Sequence, residues 1–129
     1  MSTEQNKAVV RRFMTEILAN GNYDLIDELL APNYINRMSG TDREATRGLF
    51  GVLRSSLPGL RFNIENLVAE GDAVVARFTI EATQAGKKVS ARGMTYYGLA
   101  NGQIVEDEPI SAPDLVQLLG IQLPVGPSG

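Results

Sequence analysis

The sequence contains no cysteine and no histidine. The first absence excludes disulfides, a thiolate nucleophile and a cysteine-held metal. The second removes the commonest general base near neutral pH and the commonest protein metal ligand. Acid–base chemistry therefore falls to carboxylates, tyrosines, lysines or groups tuned by arginine. No apolar run reaches the roughly 18 residues of a membrane-crossing helix, and the N-terminus is polar rather than signal-like. The expectation is a cytoplasmic protein with no membrane contact. No basic cluster offsets the net charge of −3, which argues against a nucleic-acid surface. GxGxxG, P-loop and nucleophile-elbow motifs are missing, so nothing points to a nucleotide cofactor and none is expected. Asp24, Asp27 and Glu28 lie on one short helical face, which is ordinarily solvated, and no metal is expected there.

What is present suffices for one domain with a real core: 129 residues, 43% of them hydrophobic. The stretch 74–110 organises it. VVARFTIEAT, a turn at Gln84–Lys87, VSARGMTYYGLA, Asn101-Gly102 and QIVEDEPI read as three antiparallel strands. Asn-Gly between β-prone runs is a strong hairpin signal, because both central residues of a type I′ turn need positive φ. A preceding strand begins at Leu60, Phe62 and Ile64, and Asn66 marks a bulge where the apolar phase slips. The N-terminal part reads as three helices. The first is capped by Ser2 or Thr3 and runs to about Asn20 with an apolar stripe through Phe13, Met14 and Ile17. The second is short and closed by Pro32, and Asn33 to Arg37 then reads as a short extended piece. The third is capped by Thr41 and Glu44 and buries Ala45, Leu49, Val52 and Leu53. Residues 112–119 read as a terminal helix or cap, and 121–129 as a mobile Pro/Gly-rich tail. The expected fold is α+β, a single domain over 1–120 whose curved antiparallel sheet wraps around N-terminal helices and leaves a cone-shaped hollow. Such hollows are the default ligand site of a small domain.

Three consecutive carboxylates, Glu106, Asp107 and Glu108, must alternate between the faces of their strand. Asp107 shares parity with Pro109 and is expected to face the hollow. By the same parity Ala91, Gly93, Thr95 and Tyr97 face inward, the small ones leaving room for a ligand or for close packing. Phe13, Met14, Met38, Phe50 and Met94 read as core or cavity wall.

The segments NKAVVRRFMTEILANGNYDLIDELLAPNYI, LPGLRFNIENLVAEGDAVVARFTIEAT, the ARG at Arg92 and NGQIVE resemble SnoaL-like polyketide cyclases, of the nuclear transport factor 2-like superfamily. The resemblance runs to about Gly120 and implies a cone-shaped α+β barrel. In that family an aspartate on the last strand, in a Trp-Asp pair, moves the proton of an aldol closure. Here Glu108 takes the tryptophan position and Pro109 the aspartate position. Tyr34-Ile35-Asn36 and Arg77 are also similar to the Tyr-x-Asn and Arg-x-Asp of limonene-type epoxide hydrolases, with Thr79 and Pro109 standing where that enzyme has its aspartates.

Burial alone puts the apolar face of strand 74–82 inward and Arg77 in water. The resemblance instead implies that Arg77 and Thr79 line the pocket. The apolar face would then be covered by a second copy of the chain, a homodimer through the outer sheet face. Two functional readings stay open. One is a cofactor-free enzyme doing cyclisation, isomerisation or epoxide opening on a hydrophobic oxygenated molecule such as a polyketide intermediate. In it Arg77 polarises an oxygen, Asp107 moves the proton, and Tyr34 and Asn36 orient water or substrate. The other is a small-molecule-binding or accessory protein on the same fold.

Overall fold

In the computed structural model, which describes residues 2–112, the chain opens on a capped helix. The Ser2 hydroxyl accepts from the Gln5 N–H and the Gln5 side chain accepts from the Ser2 N–H, satisfying two otherwise unpaired donors. Helix α1 spans Thr3–Arg12 and runs on into a π-helical segment, Phe13–Ala19. Hydrogen bonds from i to i+5 widen that turn, which brings Phe13 and Leu18, five apart, to one face. A 3₁₀ turn, Tyr23–Leu25, leads into α2, Ile26–Leu29.

The rest of the described chain is β1 (Leu30–Asn36), β2 (Thr41–Asp42), α3 (Arg43–Ser56), β3 (Arg61–Glu70), β4 (Ala73–Gln84), β5 (Lys87–Ala100) and β6 (Gln103–Ala112). All six strands form one sheet in the order β2-β1-β6-β5-β4-β3. β1 runs parallel to β6 and every other pair is antiparallel. The architecture is α+β as expected, but the sheet is mixed rather than wholly antiparallel. Pro32 does not simply end α2: it lies inside β1, whose partner is the last strand, a pairing that local sequence cannot reveal.

Two of the three hairpin turns have both central residues at positive φ, Ala85 and Gly86 (52° and 80°) and Asn101 and Gly102 (53° and 79°), while the turn between β3 and β4 has only Gly71 there (56°). Two bulges re-aim side chains. One falls between Ile64 and Asn66 on β3, where the apolar phase slips. The other leaves Val105 unpaired on β6, between the partners Leu99–Ile104 and Gly98–Glu106. An extra residue reverses the alternation, so Ile104 and Asp107 both point inward.

The core lies between the inner sheet face and the helices. Val10, Met14, Ile17, Ile26 and Leu30 meet Val74, Ala76, Phe78, Ile80 and Ala82 of β4 there. Helix α3 is turned relative to the sequence reading. Asp42, not Thr41, caps it by accepting from the Ala45 N–H at 2.9 Å. Thr46, Phe50 and Leu57 are buried, while Ala45 and Val52 are exposed. Asp27 pairs with Arg43 and Arg47, tying α2 to α3. Among the described residues no helix is long and apolar enough to cross a membrane. The proposed terminal helix beyond Ala112 and the tail at 121–129 lie outside the described residues.

Candidate active site

Strand register builds the site. Val74, Tyr97, Asp107 and Asn36 are successive partners across β4, β5, β6 and β1, and all four are buried on the inner face. β1 ends opposite Asp107, apart from a bond from the Arg37 N–H to the Asp107 carbonyl at 2.7 Å. Beyond that point β6 continues as an edge, where Pro109 with its missing N–H is accommodated.

The Asp107 carboxyl is only 4% exposed. The Tyr34 hydroxyl donates to its Oδ2 at 2.8 Å, while Oδ1 has no hydrogen-bond partner among the described residues. Burial pushes its pKa up to about 7; the Tyr34 hydrogen bond works against the rise and the charge of Glu106 adds to it. Burial, then the Asp107 charge, also pushes both Tyr34 and Tyr97 well above the ordinary phenol value, so both are neutral donors at physiological pH.

A cavity of about 240 Å³ opens in front of this carboxyl. All four phenylalanines of the chain line it: Phe13, Phe50, Phe62 and Phe78. Phe13 stands edge-on to Tyr97 at 5.8 Å and tilted on Phe50 at 5.8 Å, and Phe62 leans on Phe78 at 5.5 Å. Leu18, Leu49, Leu53 and Ile80 complete the apolar wall. Among the described residues, Asn36, Thr95, Ser111 and Tyr97 are the uncharged polar groups and Asp107 the only charged residue lining the cavity. Asn36 Oδ1 accepts from the Met38 and Ser39 N–H groups at 2.9 and 3.2 Å. These two bonds fix the orientation of the amide.

Of the residues picked from the sequence, Phe13, Asn36, Met38, Phe50, Thr95, Tyr97, Asp107 and Pro109 line the cavity. Tyr34 stands behind Asp107, and Met14 is buried in the core without reaching the wall. Gly93 makes room for a neighbour, not for a ligand: a Cβ there would lie 2.7 Å from the Phe78 ring. Arg77 and Thr79 are corrections. Arg77 is exposed on the outer face, and Thr79 donates to Glu65 there at 2.9 Å. Burial of five apolar residues of β4 under the helices outweighs any gain from an inward arginine. Met94 likewise points outward and is 52% exposed. The apolar wall from Phe62, Phe78 and Ile80 was legible in the alternation of β3 and β4 once their apolar face is taken as the inner one.

A model of the SnoaL-like domain matches residues 10–107. The chain belongs to the SnoaL-like domain family. No curated protein matches it. Among solved structures, a candidate polyketide cyclase from Acidithiobacillus ferrooxidans is 24% identical, with 93% of this chain and 98% of that one covered and a TM-score of 0.78. A candidate SnoaL-like polyketide cyclase from Jannaschia sp. CCS1 is 25% identical, with 91% and 90% covered and a TM-score of 0.78. AclR from Streptomyces galilaeus, described as a candidate hydroxylase, is 19% identical, with 94% and 99% covered and a TM-score of 0.78. The SnoaL-like fold is thus shared by proteins assigned to different chemistries, and fold alone does not select among them.

The inward row of β6 carries a carboxylate at Asp107 and, two residues on, Pro109. Among the described residues no group of carboxylates is arranged to hold a metal ion.

Proposed function

We propose that this SnoaL-like chain is a cofactor-free acid–base catalyst for a small, hydrophobic, oxygenated molecule such as a polyketide-derived intermediate. One observation carries the reading: a carboxyl buried in an aromatic cavity, anchored through one oxygen and with the other unpartnered among the described residues. A pKa near the working pH lets the same group accept and return a proton. Asp107 Oδ1 takes a proton from a carbon next to a carbonyl. The Asn36 amide donates to the carbonyl oxygen as negative charge develops on it. The resulting carbanion either attacks a second carbonyl, closing a ring, or is reprotonated at another carbon, giving an isomer. Epoxide opening would use the same carboxylate on a water molecule.

Deuterium exchange tests this directly. A neutral aryl methyl ketone in D₂O should exchange its methyl protons faster with the protein, and the rate should rise with pH through about 7 as Asp107 ionises. Asp107→Asn should bind the ketone but slow exchange by roughly 100-fold or more. Binding with no acceleration by the wild type would defeat the catalytic reading. It would favour the accessory one, which has its own support in the lack of a second charged group among the described residues of the cavity.

The homodimer also stays part of this proposal, on different grounds from those the sequence offered. The apolar face of β4 is covered by helices, but Val68, Met94, Tyr96 and Ile110 stand 65%, 52%, 42% and 69% exposed on the outer face. Cross-strand partnering links Met94 to Ile110, and Val68 to Tyr96 through Val75, which makes one strip.

A further inference from the structure

We propose that the cavity is a binding site for a protonated arylalkylamine, whose ammonium group pairs with Asp107 while its ring lies in the phenylalanine wall. The inference goes beyond the proposed function: it rests on the cavity and its carboxyl, and holds whether or not Asp107 also moves a proton. Three observations carry it. The Asp107 carboxyl is held in place, with Oδ2 accepting from the Tyr34 hydroxyl at 2.8 Å. Its Oδ1 is buried and, among the described residues, has no partner. Among those residues the cavity wall brings no cation to balance a carboxylate; it brings aromatic rings.

A ligand for such a site must supply a donor at one end and apolar surface at the other. A neutral donor would satisfy Oδ1 but leave the charge unbalanced. An ammonium does both, and a hydrogen bond with an ionised partner is about twice as strong as one between neutral groups. Desolvation ordinarily cancels much of the attraction in a buried ion pair. Here the carboxyl is already out of water in the folded chain, so only the ligand's ammonium has still to leave it. The rings ease that step. Phe13 meets Tyr97 at 76° and Phe50 at 59°, and Phe62 meets Phe78 at 54°. Inclined rings do not cover one another's faces as stacked rings do, and the face of an aromatic ring attracts a cation. Thr95, buried on the same row of β5 as Tyr97, brings a hydroxyl oxygen to the wall as a second acceptor for the ammonium. An anionic ligand meets the opposite balance, since its charge repeats that of Asp107. A cavity of about 240 Å³ is smaller than those that hold drug-sized molecules, which suits a ligand with a single ring.

The titratable groups around Asp107 are Tyr34 on β1, Tyr97 on β5 and Glu106 on β6, the last paired with Arg37 at 2.8 Å. The side chains that α3, the π-helical segment, β3 and β4 bring to the cavity are apolar. Ionisation of Asp107 therefore sets the binding of an amine. Affinity should rise with pH through about 7, then stay level until the amine loses its own proton at about 10.

Calorimetric titration with three probes of similar size tests the pairing: phenethylamine, phenethyl alcohol and phenylacetate. Near pH 8 the wild type should bind the amine at least about tenfold tighter than the alcohol, and phenylacetate more weakly than either. In Asp107→Asn the amine should fall to the alcohol's affinity or below, while the alcohol binds as before. Saturating amine should also lower the Asp107 midpoint in a carboxyl NMR titration of the wild type by about one pH unit or more, because the ammonium prefers the ionised form. That shift carries the test should Asp107→Asn fail to fold. Equal binding of amine and alcohol by the wild type overturns the inference. So does an amine preference that survives in Asp107→Asn, or an Asp107 midpoint that saturating amine leaves in place. Amine binding without ketone exchange leaves this inference standing and removes the catalytic reading. Ketone exchange without amine binding does the reverse.

Discussion

At the scale of single residues, Asp107 is a site whose usefulness costs stability. Its folded value is about 7 against an ordinary 3.8, so the folded chain holds a proton that the unfolded chain has lost throughout that window. Stability contributed by this group is therefore full below about pH 4, declines as the pH rises, and reaches its minimum above 7. The loss runs at about 1.4 kcal/mol for each pH unit between the two values. Asp107→Asn should match the wild type in denaturant unfolding near pH 3 and exceed it by a few kcal/mol at pH 8, about the size expected from that slope. Equal stability at pH 8 would mean that the carboxylate is better solvated than its burial implies. Asp107 was legible in the sequence, because strand parity with Pro109 aims it inward. Thr46 was not: a threonine in mid-helix reads as a surface residue, and hydrogen bonds to Thr41, brought by β2, make its burial tolerable.

At the scale of elements, the sheet was more legible than the helices that cover it. Asn101-Gly102 needed two positive φ angles and has them, and the phase slip before Leu67 does mark a bulge. The inward face of β4 was legible from its apolar alternation alone. It was lost only when family likeness was allowed to turn Arg77 inward. β1 was legible only as a short extended piece at 33–37, because its main partner is distant and parallel, and α3 was legible as a helix with its cap one residue early, because Asp42 and Thr41 are both plausible caps. The contact between β4 and β5 yields a second prediction. A methyl at Gly93 would lie 2.7 and 2.8 Å from Phe78 ring carbons and 3.0 Å from the Ile110 carbonyl. Gly93→Ala should cost about 1–3 kcal/mol in thermal unfolding and weaken ketone binding, because Phe78 must swing into the cavity. Adding Phe78→Leu should recover part of the stability, since the shorter side chain vacates the clash. An additive double mutant would place the cost in the backbone instead.

At the scale of the whole molecule, two faces of one sheet serve two purposes. The inner face is closed by helices around the cavity; the outer face mixes Arg77, Thr79 and Glu81 with the exposed strip through Met94 and Tyr96. If that strip is where copies meet, Met94→Glu with Tyr96→Glu should turn a dimer into a monomer in sedimentation equilibrium, while the Asp107 titration stays in place. A wild type that sediments as a monomer at micromolar concentration would remove the dimer from the proposal.

The bond between Tyr34 and Asp107 spans 73 positions of the chain. Meander strands β3 to β6 can zip up from neighbouring hairpins, whereas β1, beyond its two-residue pairing with β2, has to wait for β6 before its other edge has a partner. Bringing such remote segments together costs loop-closure entropy before any contact repays it. During synthesis, the half of the site bearing Tyr34 and Asn36 leaves the ribosome long before the half bearing the carboxylate. The charged group is thus made last, and its hydrogen-bonding partner is already waiting when it arrives.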